Sequence, residues 1–219
     1  MVTSTLNINN QDFLNKNYNF TQSGNTPAGI VNNGSLIAKD GSVVLLGGAI
    51  QNTGNIQASN GSIQMAIGKS ATITMEDGIN VDIQINEALE DKVNGVQTAI
   101  INSGSLSANV IKAQASLNGA IYDQAINNSG LIEATGLINN GGVIELIGQS
   151  TDKTANVINT GNLIANNEAG KGGTIKVLGD NIGILSGKIE ASGKTGGGEI
   201  LIGGDYQGKN PEIYNAQKT

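Results

Sequence analysis

One short phrase, Asn-x-Gly-x-(Leu/Ile)-x-Ala, recurs along this chain and limits what it can fold into. It runs from Asn32 to Ala38, Asn52 to Ala58, Asn102 to Ala108, Asn128 to Ala134 and Asn159 to Ala165. A degraded copy from Leu185 to Ala191 keeps Gly187, Ile189 and Ala191 but has lost the Asn. Repetition of this kind marks a stacked, quasi-one-dimensional architecture, in which each unit buries its apolar face only against its neighbours.

Within each copy two apolar residues lie two positions apart, which on a strand puts them on one face. The pairs are Leu36/Ala38, Ile56/Ala58, Leu106/Ala108, Ile132/Ala134, Leu163/Ala165 and Ile189/Ala191. The residues between them (Ile37, Gln57, Ser107, Glu133, Ile164, Glu190) are mostly polar. That is the alternation of a half-buried strand, with the pairs as candidate core. A second strand follows a Gly: Gly41 to Leu45, Gly61 to Met65, Gly142 to Leu146, Gly173 to Val177 and Gly198 to Ile202, with the third and fifth residues aliphatic each time. A third inward position falls two residues before the Asn, at Ile30, Ile50, Ile100, Ile126 and Val157. Three short strands per repeat, joined by Gly and Asn turns, describe one coil of a parallel β-helix. Coils of that kind stack at about 4.8 Å, so six make a rod on the order of 30 Å long. Burying about five aliphatic side chains does not offset the entropy of ordering a whole coil. A single coil is therefore not expected to fold alone.

The Asn residues have a role in such a stack. An amide both donates and accepts, and Asn tolerates turn geometry. Asn32, Asn52, Asn102, Asn128 and Asn159 are expected to form a structural ladder along the coil axis, with the Gly two residues on supplying a backbone angle closed to other residues.

Composition narrows the chemistry. Of 219 residues, 32 are Gly and 2 are Pro, aromatics are 3%, and there is no Trp. The core must be aliphatic. The net charge of −6 and the absence of Arg argue against a nucleic-acid or anionic-membrane partner. With no His, the usual acid, base and metal ligand is absent. No cofactor or metal site is expected. No Cys means no disulfide, which is compatible with export. No apolar run is long enough to span a bilayer, and the residues after Met1 lack the basic start and apolar stretch of a signal peptide.

The repeat is interrupted. Successive signature glycines are 20, 50, 26, 31 and 26 residues apart, so the interval from Gly54 to Gly104 holds more than a coil. Ala71 to Met75 and Ile79 to Ile85 alternate around Glu76-Asp77-Gly78, which predicts a hairpin standing off the rod. Asn86 to Gln97 is expected to contain a short helical turn, with smaller excursions at 116–124 and 166–171. Residues 1–27 do not repeat and are read as N-terminal capping strands. Residues 28–208 are read as coils carrying an extra-helical insertion at about 70–99, and 209–219 as a C-terminal tail, all one domain.

Five stretches, in this order, resemble the N-terminal region of filamentous haemagglutinin-type exoproteins of the two-partner secretion pathway. They are Thr5 to Leu14, Val31 to Ala38, Gly41 to Gly47, Asn127 to Ala134, and Gly203 to Gly208 (Gly-Gly-Asp-Tyr-Gln-Gly). The resemblance implies an all-β, right-handed parallel β-helix, a single-stranded solenoid with an extra-helical β-hairpin. It also implies export through an outer-membrane transporter whose periplasmic domains bind the chain, and adhesion at the bacterial cell surface to a host-cell receptor or glycan. That family's secretion domain carries a signal peptide and Asn-Pro-Asn motifs, and neither occurs here. The chain is thus expected to correspond to the later part of that domain and the first fibre coils.

Polysaccharide-acting hydrolases and lyases are also β-helical, and glycoside hydrolysis needs paired carboxylates facing one cleft. Glu133, Glu145, Glu190 and Glu199 are expected on the solvated outer face, so catalysis is not expected. Gly203 to Lys209 has the spacing of a phosphate loop but ends in Asn210, and Gly193-Lys194-Thr195 has the ending but Lys188 where the first Gly belongs. Neither precedes a helical pattern. The Asn-x-Ser/Thr sequons at Asn19, Asn33, Asn60 and Asn127 are read as turn composition.

Overall fold

The computed structural model describes residues 1–76, 80–136 and 141–219. Strands dominate. Helix, among the described residues, is confined to Asn10–Leu14, capped by the Asn9 side chain, and a short 3-10 turn at Tyr206–Gly208. The chain winds as a parallel β-helix whose coils build two long parallel sheets, one of six strands and one of eleven.

The six-stranded sheet stacks Gly29–Asn32, Ala49–Asn52, Thr98–Asn102, Gln124–Asn128, Asn156–Asn159 and Asn181–Ile184. Ile30, Ile50, Ile100, Ile126, Val157 and Ile182 lie in one register file. The eleven-stranded sheet holds the signature strands and the Gly-led strands together. In its first file Leu36, Ile56, Leu106, Ile132, Leu163 and Ile189 are in register. A second file runs Val43, Ile63, Ile111, Ile144, Ile175, Ile200. Both sets turn inward, and one hydrophobic cluster extends from Val43 to Ala191. Of the candidate core residues, Ile56, Ala58, Leu106, Ala108, Ile132, Ala134, Leu163, Ala165 and Ala191 are buried, while Leu36, Ala38 and Ile189, near the two ends, are partly exposed.

The third coil departs from the sequence pattern. Its two strands are fused into one, Ser105–Leu117, as they are in Asn55–Ile67 of the coil before. No Gly leads its second half. Ala108 pairs with Ala58 and Val110 with Ser62, so Asn109 alone rounds a corner that takes three residues in the neighbouring coil.

A third, smaller sheet lies outside the helix. Ser70–Glu76 and Asn80–Glu87 pair antiparallel as the extra-helical hairpin, whose tip lies outside the described residues. The hairpin does not stand off the rod. It joins Tyr18–Thr21 and Asn7–Ile8 in a four-stranded antiparallel sheet, an apron folded against the outer face of the first coils. Leu6, Ala71, Ile73 and Ile83 of the apron pack on Val44, Leu46 and Ala66, which point out of the helix. The remaining N-terminal strand, Val2–Ser4, pairs in parallel with Val43–Gly47, extending the large sheet past the first coil.

The expected helical turn within 86–97 is absent. Leu89 instead forms a parallel bridge with Leu117 and is fully buried in the main cluster, and the turn that follows at 93–96 is not helical, with Gly95 at φ +79°.

Candidate functional site: the amide file and the apron-covered face

The signature Asn residues form a single file. Asn32 Nδ2 donates to Asn52 Oδ1 at 2.7 Å, Asn52 to Asn102 at 2.8 Å, Asn102 to Asn128 at 2.8 Å and Asn128 to Asn159 at 2.7 Å. All five are buried. Every amide points the same way along the axis, and hydrogen bonds aligned in this manner polarise one another. The file ends at Asn159, whose Nδ2 turns to the Gly161 carbonyl. In the next coil the residue in register with Asn159 is Ile184, not Leu185, because the degraded copy carries one extra residue before its Gly.

The signature glycines act differently from expectation. Only Gly187 has a positive φ, +86°. Gly54, Gly104, Gly130 and Gly161 are required for room. A β-carbon on Gly54 would lie 2.0 Å from the Gly34 carbonyl oxygen, and one on Gly104 would lie 2.0 Å from that of Gly54. Gly130 and Gly161 repeat the pattern at 2.1 Å. Each coil presses its turn onto the carbonyl of the coil before. Gly34, with no coil preceding it, has nothing within 4 Å of that position.

Polar side chains tie the apron to the rod. Gln64 Nε2 donates to the Val81 carbonyl at 3.1 Å and Gln114 Nε2 to that of Ile83 at 2.7 Å. Lys112 pairs with Asp82 at 3.3 Å. The Gln64 Oε1 is buried without a hydrogen-bond partner. Beside this seam a cleft of about 370 Å³ opens between the hairpin and the next coil, lined by residues including Gln84, Ile85, Gln114, Ile147 and Gln149.

Two further locks were not legible as motifs. Tyr122 is buried and donates its hydroxyl proton to the Gly48 carbonyl at 2.8 Å while accepting from the Val93 amide at 2.9 Å. Burial raises its pKa above the ordinary 10.0, partly offset by the Val93 bond. Asp180 is fully buried; its Oδ2 accepts from the Ser150 amide, the Ser150 hydroxyl and the Ala155 amide at 2.8–3.0 Å. Its Oδ1 accepts from Tyr214, which fastens residues 213–218 against the last coils.

The outward carboxylates are dispersed. Glu145 is held by Lys176 at 2.9 Å, one coil further on. Glu190 is bonded to Lys188, Asn166 and Ser192, which lowers its pKa to about 2. Glu133 stacks in register between Ser107 and Ile164, and Glu199 is exposed. Among the described residues no cluster of three or more His, Cys, Asp or Glu is placed to hold a metal ion. Gly203 and Gly204, in the near-match to a phosphate loop, face Thr219 and Asn215 of the tail. No helix among the described residues is long and apolar enough to cross a membrane.

The chain is thus a stack of coils with an aliphatic spine and an antiparallel apron on one flank. It is similar to a solved structure, the HMW1 secretion domain from Haemophilus influenzae, with a TM-score of 0.80 and 29% sequence identity across 100% of this chain. The chain spans 55% of that neighbour's length. No model of a protein family matches the sequence, and no curated protein does either. Fold and residue identity together bear out the resemblance to two-partner secretion exoproteins that the repeated motifs carry.

Proposed function

We propose that this chain is a non-catalytic secretion and adhesion module of a filamentous haemagglutinin-like exoprotein. The periplasmic domains of an outer-membrane transporter recognise it during export, and at the bacterial surface it contributes to adhesion to a host-cell receptor or glycan. The observation that carries this reading is the match along the whole chain, apron included, to a secretion domain. The chemistry agrees with it. The outward carboxylate of Glu145 is neutralised by Lys176, the most nearly buried ion pair among the described residues, instead of facing a second carboxylate. In this reading residues 1–27 cap the rod, 28–208 are its coils, 209–219 close it, and the Asn file is structural rather than ligand-binding.

The test is direct binding. The purified chain is expected to bind immobilised periplasmic domains of the transporter from the same organism saturably, and to release no reducing ends from a broad glycan panel. Binding to neither the transporter domains nor host-cell surfaces refutes the module. Turnover that disappears in Glu133→Gln or Glu145→Gln refutes the non-catalytic part.

A further inference from the structure

We propose that Asn94 is a site of spontaneous deamidation, the first of the described Asn-Gly pairs to convert. Gly carries no side chain to shield its nitrogen, so an Asn before it is open to intramolecular attack. The Gly main-chain nitrogen bonds to the Asn Cγ, the bond from Cγ to the amide nitrogen breaks, and that nitrogen leaves as ammonia with the proton the Gly nitrogen gives up. Water then opens the cyclic imide at either carbonyl, yielding aspartate or isoaspartate.

The sequence holds five such pairs, at Asn33, Asn60, Asn94, Asn118 and Asn140. Asn140 lies outside the described residues. The fold restrains three of the other four. Asn33 accepts from the Thr53 hydroxyl at 2.7 Å, and the Gly34 nitrogen is committed to Asn32 Oδ1 at 3.2 Å. Asn60 lies within strand Asn55–Ile67 with its amide donating to Asp40, and Gly61 is packed so closely that a β-carbon would lie 2.3 Å from the Gly41 carbonyl oxygen. Asn118 accepts from the Thr151 hydroxyl at 2.9 Å, and the Gly119 nitrogen donates back to that same hydroxyl at 3.0 Å.

Asn94 has none of these restraints. Its side chain makes no hydrogen bond among the described residues, and it is exposed in a tight turn closed by the Val96 amide on the Val93 carbonyl at 3.1 Å. Gly95 sits at φ +79° with nothing within 4 Å of where a β-carbon would stand, so the turn has room to rotate toward the imide. The consequence reaches the core. Val93, one residue away, donates to Tyr122, which in turn holds the Gly48 carbonyl. An isoaspartate adds a main-chain carbon to this turn and a negative charge three residues after Asp91, loosening that relay.

The folded protein, held at body temperature and mildly alkaline pH, is sampled over time and its peptides are mapped by mass spectrometry with isoaspartate detection. Asn94 is expected to convert several-fold faster than Asn33, Asn60 and Asn118. In denaturant the four rates should draw together, and Gly95→Ala should slow conversion at Asn94 several-fold without changing the other three. Converted protein should also show faster hydrogen exchange at the Val93 amide. Conversion at Asn94 no faster than at any of the three restrained pairs, or an order unchanged by unfolding, overturns the proposal.

Discussion

At the scale of the residue, two positions of the signature phrase are constrained by the neighbouring coil. Asn102 sits mid-file, giving one hydrogen bond forward and receiving one from behind. Asn102→Ala removes two bonds of the file: the buried Asn128 oxygen loses its donor and the buried Asn52 amide keeps only its 3.3 Å bond to the Gly54 carbonyl, at about 1–3 kcal/mol for each partner lost. Asn32→Ala removes only one bond of the file, so urea unfolding should show roughly half the loss. Equal losses would mean that the amides do not act as a file. The glycines make a sharper contrast. Gly104→Ala drives a β-carbon into the Gly54 carbonyl and is expected to cost at least about 1–3 kcal/mol, as overpacking does. Gly34→Ala meets nothing and should stay within about 0.5 kcal/mol of the parent. The file was legible because the same Asn returns at one point of every repeat. The reason for the glycines was not, since the atom that excludes a side chain belongs to a residue 20 to 50 positions earlier and not to the local backbone.

At the scale of the element, the apron makes part of the rod's outer wall an interior. Leu45 points into the helix and Leu46 out of it, yet both are fully buried. Leu45→Ala and Leu46→Ala are each expected to cost about 2–5 kcal/mol in denaturant unfolding. A negligible loss for Leu46→Ala would mean that the apron lifts off in solution. The signal lay in the sequence as four apolar residues in a row, Val43 to Leu46, where every other Gly-led strand but the last alternates; such a run marks a strand buried on both faces. The hairpin's own alternation was readable, but not its docking, because the surface it covers comes from other repeats. The second half of Ser105–Leu117 escaped notice for a related reason: Asn109 rounds its corner without the Gly that marks the others. Tyr122 ties the 88–97 stretch to this framework, and its raised pKa carries a sign. A group whose folded pKa lies above its unfolded value contributes stability below the unfolded pKa, here about 10.0, and loses it as pH rises through the folded one. Tyr122→Phe should therefore be less stable at neutral pH, by about 1–3 kcal/mol from the two lost bonds, and should lack its share of the parent's decline above pH 10.0. Tyr214, shifted in the same direction, keeps part of that decline in both proteins. Parallel alkaline unfolding curves would refute this assignment.

At the scale of the whole molecule, stability is a sum of coil terms and nearest-neighbour interfaces, so a break in one coil is felt through the next. Leu163 is fully buried within the continuous cluster, and Leu163→Asp should unfold the later coils, whereas Glu133→Ala should hardly move the melting point. The two ends of the rod are not alike. The first coils are covered by Val2–Ser4 and the apron, but around the last coil Leu185 is 71% exposed and Ile200 43%. Only short contacts from the tail, such as the bridge of Lys218 to Asn181 and the bond of Tyr214 to Asp180, close that end. Local opening follows the density of buried contacts. Amide hydrogen exchange in native buffer should therefore rise toward the carboxyl-terminal end, fastest in Ile189–Glu190 and Glu199–Ile202. It should be slowest in Thr98–Asn102 and Ser105–Leu117, whose neighbours on both sides are complete coils. Tyr214→Phe, by removing the hydroxyl that reaches Asp180, should steepen the gradient at Asn181–Ile184 and leave the apron unchanged. A flat exchange profile, or one that opens first beneath the apron, would show that the rod melts as a single block and not from its uncovered end.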